Sequence, residues 1–300
     1  MTHCRYEMRA NPWRPWTTRA GLPASWCLAM LAAFSVAILF ADARIEDVGF
    51  RANIDGTEQR YVIAFPESFS ADEFCAALIA LHGHGSDRWQ FVKDTRTECR
   101  AARDVAAAHR MLLVSPDYRA KASWMGPKAE ADLVQIIGEL KQRHHIGKII
   151  LCGGSMGGTG ALTFTALHPD LVDGVVSLNG TANLVEFTGF ADAIAASFGG
   201  TKAEAEEQYR RRSAEFWPER FPMPIAATSG GKDRVVPAES VLRLLNAVKV
   251  TNPNVLSIHR MEGGHSTDYN DSKEAIEFVV SRVLKSDEKA LPSSILRTWP

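Results

Sequence analysis

The chain has 300 residues, of which 46% are hydrophobic and 23% are charged, and its formal net charge at pH 7 is −1. These proportions are those of a globular protein with enough apolar residues for a full core. The near-zero charge, without basic or acidic runs, argues against a nucleic-acid-binding protein, which usually has a basic patch or a high pI.

The first 43 residues have the pattern of a secretory signal peptide. An arginine-rich segment precedes the apolar run 26–40, and Ala41-Asp42-Ala43 then gives a small-x-small cleavage site. The apolar run is short of the about 20 residues that a membrane-spanning helix needs. We expect cleavage before Arg44 and a secreted or periplasmic protein without a stable membrane partner. An uncleaved N-terminal anchor is the alternative.

Apolar runs rich in β-branched residues predict eight strands in the rest of the chain. They cover residues 48–53, 60–65, 76–81, 111–114, 149–152, 171–178, 225–228 and 255–260. Asp55-Gly56 is a turn signal that makes the first two strands an antiparallel hairpin. Helices are predicted over residues 94–109, 128–144, 155–167, 237–250 and 272–285. The alternation from residue 76 onward predicts an α/β fold, with a mostly parallel central sheet and helices on both faces.

The turn between the fifth strand and the helix after it carries the first candidate for chemistry. Residues 153–157 read Gly-Gly-Ser-Met-Gly, so that Ser155 stands at the apex between a strand and a helix. Glycines around the serine remove side chains that would collide in such a sharp turn. The turn predicts an exposed hydroxyl, and the N-terminus of the helix favours any negative charge that develops beside it. Ser155 is therefore the predicted nucleophile.

Two further residues complete a possible catalytic triad. Asp233 and His265 follow the last two predicted strands, at the carboxyl edge of the sheet where functional residues collect. His265 is predicted to accept the Ser155 proton as a general base, and Asp233 to orient the imidazole. Glu262 and Asp268 are competing acids, but neither follows a strand as directly.

An anion that develops in the reaction needs two hydrogen-bond donors. The first is predicted to be the backbone N–H of Met156, directly after the nucleophile. The second is predicted in the loop His82-Gly83-His84-Gly85, which follows the strand ending at residue 81. We assign it to the N–H of His84, with that of Gly85 as the alternative.

Residues 181–217 interrupt the strand–helix alternation as a more polar insertion. Because loops at the carboxyl edge of the sheet face the active site, the insertion is predicted to form a small helical cap over Ser155. Phe187 and Phe190 would then face the acyl group of a substrate, and Trp124 is a further candidate for the pocket. A surface excursion on the side of the domain is the alternative, and the charged stretch 202–212 is interpreted as a solvated helix face. The catalytic domain is predicted over residues 44–286, followed by a tail over 287–300.

The cysteines leave one question open. Cys75 and Cys99 could form a disulfide in an oxidising compartment or remain unpaired, because the sequence does not give their distance. Cys152 lies at the end of a buried strand and is predicted to be a free thiol. No Cys/His spacing indicates a metal site, and the phosphate-binding glycine patterns are absent from the sequence.

These motifs together resemble the α/β-hydrolase superfamily over about residues 60–284. Residues 154–158, 160–162 and 168–170 are similar to the pattern of esterase D, and residues 233–237 and 263–265 fit the acid and histidine regions of the superfamily. The chain looks most like secreted esterases of the esterase D and feruloyl esterase type and like prolyl-oligopeptidase-like hydrolases. The resemblance implies an α/β-hydrolase fold without a metal or an organic cofactor. We expect no β-propeller before the catalytic part, which is a departure from prolyl oligopeptidase.

The leading hypothesis is a secreted serine hydrolase that cleaves carboxylic esters through an acyl-enzyme. A peptidase acting on short peptides is the first alternative, so the expected partner is a small ester or a short peptide. A non-catalytic binding protein with the same fold is the second alternative, and the complete set Ser155, His265 and Asp233 argues against it.

Overall fold

The structure is a computed structural model, and it describes residues 44–67, 69–70 and 74–290. The predicted signal peptide, residues 1–43, lies outside the described residues, as do residues 291–300 of the predicted tail. A bilayer-spanning helix is not found in the part of the chain that the structure describes.

Eight strands form one sheet. They are β1 (Ile45–Arg51), β2 (Glu58–Ala64), β3 (Cys75–Leu81), β4 (Leu112–Pro116), β5 (Ile146–Gly154), β6 (Gly174–Leu178), β7 (Ile225–Gly230) and β8 (Val255–Arg260). Their order across the sheet is β1-β2-β4-β3-β5-β6-β7-β8. The pairs β1–β2 and β2–β4 are antiparallel, whereas every pair from β4 to β8 is parallel. The predicted mostly parallel sheet and its N-terminal hairpin are therefore confirmed.

Eight α-helices accompany these strands among the described residues. They are α1 (Gln90–Lys93), α2 (Thr97–Ala108), α3 (Pro127–His144), α4 (Met156–Leu167), α5 (Ala191–Phe198), α6 (Glu206–Arg211), α7 (Glu239–Val248) and α8 (Tyr269–Ala290). The last helix begins three residues before the predicted position, where the Asp268 side chain accepts the N–H of Asp271 at 2.8 Å. It continues to Ala290, past position 287, where the tail was expected to begin.

The two faces of the sheet carry separate hydrophobic cores. On β5, Ile149 and Leu151 belong to the core that α3, α4 and α7 complete, and Ile150 and Cys152 belong to the core that α2 and α8 complete. Because both faces are covered, the central strands need no polar alternation and appear in the sequence as continuous apolar runs. Each fully buried large aliphatic side chain contributes about 1.5–3 kcal/mol, so the sheet is a rigid support for the loops at its carboxyl edge.

The insertion of residues 181–217 contains α5 and α6, so the helical character predicted for it is present. Its C-terminal end is fixed to the domain by Arg212, which is 1% exposed and donates to the Glu130 carboxylate of α3 at 2.6 Å. The hydroxyl of Thr163 in α4 donates to the carbonyl of Arg212 at 2.8 Å. The interpretation of residues 202–212 as a solvated helix face is therefore wrong for Arg212, because its charge is neutralised in a buried ion pair.

Candidate active site

The turn between β5 and α4 has the strained geometry that its sequence predicts. Ser155 has φ 56° and ψ −116°, in the region that L-residues other than glycine rarely adopt. A Cβ on Gly157 would collide with the carbonyl oxygen of Leu81, and one on Gly153 would collide with the backbone of Gly157. The backbone N–H of Ser155 donates to the carbonyl of Leu178 at the end of β6, at 2.8 Å. Close packing thus keeps the serine in a conformation that costs about 1–3 kcal/mol.

The structure brings together the three side chains predicted as nucleophile, base and acid. His265 Nε2 lies 2.9 Å from Ser155 Oγ, and His265 Nδ1 lies 2.7 Å from Asp233 Oδ2. The three residues come from the ends of β5, β7 and β8, up to 110 positions apart in the chain. A parallel sheet brings such distant residues together because its strands end at one edge.

Asp233 is held by its own turn. Its Oδ1 accepts the backbone N–H groups of Val235 and Val236, each at 2.9 Å, which leaves Oδ2 for His265. The Asp233 side chain is only 1% exposed, so water does not compete for it. Of the two competing acids, Glu262 is 81% exposed and pairs with Lys232, whereas Asp268 accepts a hydrogen bond at the start of α8. Neither contacts His265 through a hydrogen bond among the described residues.

The loop after β3 leaves one backbone donor free beside the serine. Gly83 lies against Ser155, since a Cβ on Gly83 would be 4.0 Å from the Cβ of the serine. The N–H of Gly83 donates to Gln90 Oε1 at 2.8 Å, and the N–H of Gly85 donates to the carbonyl of Lys121 at 2.7 Å. The N–H of His84, between them, has no acceptor among the described residues. This arrangement favours His84 over the alternative Gly85, whose N–H is already engaged.

The backbone N–H of Met156, like that of His84, has no hydrogen-bond acceptor among the described residues. Met156 is the first residue of α4, so no preceding helical carbonyl is available to it. Two free backbone donors therefore belong to the residues beside Ser155, which is what an oxyanion hole requires.

Three predicted pocket residues form an aromatic cluster with His84. Trp124 is centred 5.6 Å from Phe187 and 5.2 Å from Phe190, and Phe190 is centred 4.4 Å from the His84 ring. Their exposure differs, because Trp124 is 0% exposed, Phe187 is 7% exposed and Phe190 is 37% exposed. Phe190 alone of the three has substantial exposed surface to offer a substrate. Trp124 and Phe187 are core residues that support it, so their prediction as pocket-lining residues needs this correction.

The indole of Trp124 also fixes the tautomer of His84. Trp124 Nε1 lies 3.2 Å from His84 Nδ1, and an indole N–H can only donate. Nδ1 must therefore be the acceptor, and Nε2 carries the proton of the neutral ring. The side chain of His84 is thus held in place next to its own free backbone N–H.

Ser155 and His265 line a pocket of about 230 Å³. Its wall includes three residues that the sequence did not single out, namely Gln90, Asn179 and Thr267. Arg96 and Glu98 add charge to the same wall. No sequence pattern would have identified the first three, because each contributes through contacts with residues distant in the chain.

The cysteines are free thiols in this structure. Cys75, Cys99 and Cys152 form no disulfide, which answers the question that the sequence left open. Burial raises the pKa of Cys99 to about 12 and also raises the pKa of Cys152. Cys152 therefore stays protonated three positions before Ser155 and does not compete as a nucleophile. Among the described residues, no group of three or more His, Cys, Asp or Glu side chains could hold a metal ion.

The fold, with a sharp strand–serine–helix turn at the centre of a mostly parallel sheet, is that of the α/β-hydrolase superfamily. Residues 118–281, more than half of the chain, match the prolyl oligopeptidase family. The chain therefore belongs to this family, whose members are serine hydrolases. No curated protein was found to match it.

Solved structures resemble the chain in fold. Puromycin hydrolase aligns with a TM-score of 0.64 and 20% identity over 82% of this chain and 40% of its own. The fluorophosphonate-binding serine hydrolase F of Staphylococcus aureus aligns with a TM-score of 0.60 and 17% identity over 81% of this chain and 98% of its own. A ferulic acid esterase aligns with a TM-score of 0.61 and 14% identity over 81% of this chain and 99% of its own. The chain thus spans less than half of puromycin hydrolase but nearly the whole of the other two.

Proposed function

We propose that this protein hydrolyses carboxylic esters of small molecules through an acyl-enzyme on Ser155. The observation that carries the proposal is the hydrogen-bonded chain from Ser155 Oγ through His265 to Asp233, with distances of 2.9 and 2.7 Å. Both distances lie within the range in which a base can take a proton from a nucleophile.

The reaction has two balanced halves. Ser155 Oγ attacks the carbonyl carbon while His265 Nε2 takes the hydroxyl proton, and the carbonyl oxygen becomes an anion beside the N–H groups of His84 and Met156. Collapse of this intermediate breaks the ester bond, and His265 returns the proton to the departing alcohol. Water then repeats the sequence on the acyl-enzyme, which releases the acid and restores Ser155. Asp233 stays ionised and stabilises the imidazolium in both halves.

Two observations favour an ester over a peptide. The matched ferulic acid esterase is covered over 99% of its length, whereas the matched puromycin hydrolase is covered over only 40%. The ring of Phe190, which is 37% exposed, lies against the ring of His84 and would suit an apolar acyl group. Membership of the prolyl oligopeptidase family supports the second candidate, a peptidase for short peptides.

Labelling with a fluorophosphonate probe, followed by turnover assays, tests the proposal. The parent protein and a Cys152→Ala control should be labelled, whereas Ser155→Ala should not be. Ser155→Ala should also lower kcat by about 10⁴-fold or more. Labelling of Ser155→Ala, or parent activity in a pure sample of it, would contradict the assignment of the nucleophile. Absence of labelling in the parent would instead support a non-catalytic binding protein.

Substrate class is tested by kcat/KM for p-nitrophenyl butyrate and for a dipeptide p-nitroanilide. We expect the ester to be preferred, and a higher kcat/KM for the anilide would favour the peptidase.

Export is part of the proposal and rests on the pattern of residues 1–43. N-terminal sequencing of the protein from its native host should find Arg44 first, and a full-length chain in the membrane fraction would contradict cleavage.

A further inference from the structure

The end of β6 connects the two reacting side chains. Leu178, its last residue, accepts the backbone N–H of Ser155 at 2.8 Å, and Asn179 follows directly. We propose that Asn179 is a positioning residue, which sets the distance between His265 and Ser155 by holding the loop that carries the histidine. This inference rests on the catalytic roles proposed above for Ser155 and His265.

The Asn179 side chain is hydrogen-bonded on both sides of His265. Its Nδ2 donates to the carbonyl of Gly264, directly before the histidine, at 3.3 Å. Its Oδ1 accepts the hydroxyl of Thr267, two positions after the histidine. A single buried amide, 6% exposed, therefore holds a loop 85 to 88 positions away at two points.

Neighbouring threonines fix the amide itself. Thr228 in β7 donates its hydroxyl to Asn179 Oδ1 at 3.2 Å, and its carbonyl accepts the backbone N–H of Asn179 at 3.1 Å. The hydroxyls of Thr228 and Thr267 lie 2.8 Å apart, and the hydroxyl of Thr97 donates to the carbonyl of Thr267 at 2.7 Å. The histidine loop is thus connected to β6, β7 and α2, and a shift of the loop would break several buried bonds at once.

The backbone of Asn179 is strained in the way that functional positions often are. Its φ is 52°, in the left-handed region. Asparagine tolerates this region better than most residues with a side chain, because its short amide forms local hydrogen bonds. Glycine would adopt the same φ without strain but would lose all the side-chain bonds. The backbone conformation alone would favour glycine. The asparagine at this position therefore indicates that the hydrogen bonds of its side-chain amide are needed.

Catalysis depends on the geometry that this amide maintains. Proton transfer requires His265 Nε2 to stay near its 2.9 Å contact with Ser155 Oγ. Misplacing a reacting group by about 1 Å can cost about 10²-fold in rate. Asn179 also lines the pocket beside Ser155. If it acts by holding the histidine loop, its loss should lower kcat and leave KM nearly unchanged, whereas the loss of a substrate contact would raise KM.

The experiment compares Asn179→Ala and Asn179→Gly with Asn252→Ala. Asn252 is a matched control, because it is 4% exposed and also forms three side-chain hydrogen bonds, but its bonds hold residues at the opposite, N-terminal edge of β7 and β8. Asn179→Ala should lower kcat for p-nitrophenyl butyrate by about 10- to 100-fold, with KM within about threefold of the parent. Asn179→Gly should lower kcat by the same factor, although glycine relieves the backbone strain at this position. Asn252→Ala should lower Tm and keep the parent kcat.

A second pair of variants keeps the test decisive if Asn179→Ala does not fold. Thr267→Ser retains the hydroxyl and should keep a kcat near that of the parent, whereas Thr267→Val removes it at similar volume and should lower kcat. The inference is overturned if Asn179→Ala and Thr267→Val keep the parent kcat. It is also overturned if they raise KM alone, which would indicate a contact with the substrate. Labelling of the parent protein at Ser155 and its turnover of p-nitrophenyl butyrate test the proposed function without any change at Asn179, so the two failures are distinguishable.

Discussion

Replacing Gln90 with methionine tests how the backbone donor of His84 is held. Gln90 is 4% exposed, and its Oε1 accepts the N–H of Gly83 at 2.8 Å, one residue before the free N–H of His84. Methionine has similar length and volume but a thioether that is only a weak acceptor. The substitution therefore removes the acceptor and leaves the space filled.

The remaining contacts of the loop after β3 limit how far Gln90→Met should lower kcat. Loss of an entire oxyanion donor costs about 10²–10³ in kcat. Here the donor remains, because the N–H of Gly85 still bonds to Lys121 and the His84 ring still bonds to Trp124. We therefore expect Gln90→Met to lower kcat by about tenfold, below the range for full loss of the donor. The unpaired N–H of Gly83 should also lower the free energy of unfolding by about 1–3 kcal/mol.

Binding of a trifluoromethyl ketone, which forms a tetrahedral adduct with a serine, separates the two effects. Its inhibition constant should rise by the same factor by which kcat/KM falls, because both report stabilisation of the oxyanion. Cys99→Ala is the control, since it removes the other contact of Gln90, at 3.8 Å from Nε2 to Sγ, and leaves the bond to Gly83. Parent kcat/KM and parent inhibition in Gln90→Met would refute the reasoning, whatever happens to stability.

Three further predictions concern the insertion. Glu130→Ala leaves the buried guanidinium of Arg212 without its carboxylate and should lower the free energy of unfolding by about 3–5 kcal/mol in urea titrations; a loss below about 1 kcal/mol would contradict the anchor. Burial alone would raise the pKa of Glu130, but the hydrogen bond from His168 and the charge of Arg212 outweigh it and lower the pKa to about 2 from 4.5. The stability that this carboxylate contributes should therefore be complete above about pH 4.5 and lost as the pH falls towards 2, a slope that Glu130→Gln should reduce. Phe190→Ala should change the preference between acetyl and longer acyl esters at nearly unchanged Tm, whereas Phe187→Ala should lower Tm; the reverse assignment would show that the insertion does not face the acyl group.

Much of the fold could be predicted from the sequence because local chemistry determines it. Strands such as β3 and β5 are continuous apolar runs, since both of their faces are buried. The glycines around Ser155 are required by direct backbone contact, so the turn is recognisable without any knowledge of the rest. The proposal that Asp233 and His265 join Ser155 follows from one rule about parallel sheets, and the structure brings all three together.

The remaining features depend on contacts that no local pattern encodes. Asn179 differs from any other asparagine only through its bonds to Gly264, Thr228 and Thr267, which lie far along the chain. Phe187 and Phe190 looked equivalent in sequence, but Phe187 is 7% exposed and Phe190, which has a left-handed backbone with φ 54°, is 37% exposed. The charge of Arg212 suggested a solvent-exposed side chain. Only the fold shows that the side chain is buried and paired with the carboxylate of Glu130.

The anchoring of the insertion through Glu130 has a consequence for how substrate enters. Lys202 adds to it by donating to the carbonyls of Val185 and Phe187, each at 2.7 Å, beside the aromatic cluster. Because the segment is tied at both places, we expect a bulkier acyl group to be admitted by rotation of the Phe190 ring and not by movement of the whole segment. Side-chain rotation takes picoseconds to nanoseconds, whereas lid opening takes microseconds to milliseconds. Turnover in this protein should consequently be insensitive to solvent viscosity and free of a lag phase, as expected when no gate precedes the chemical step.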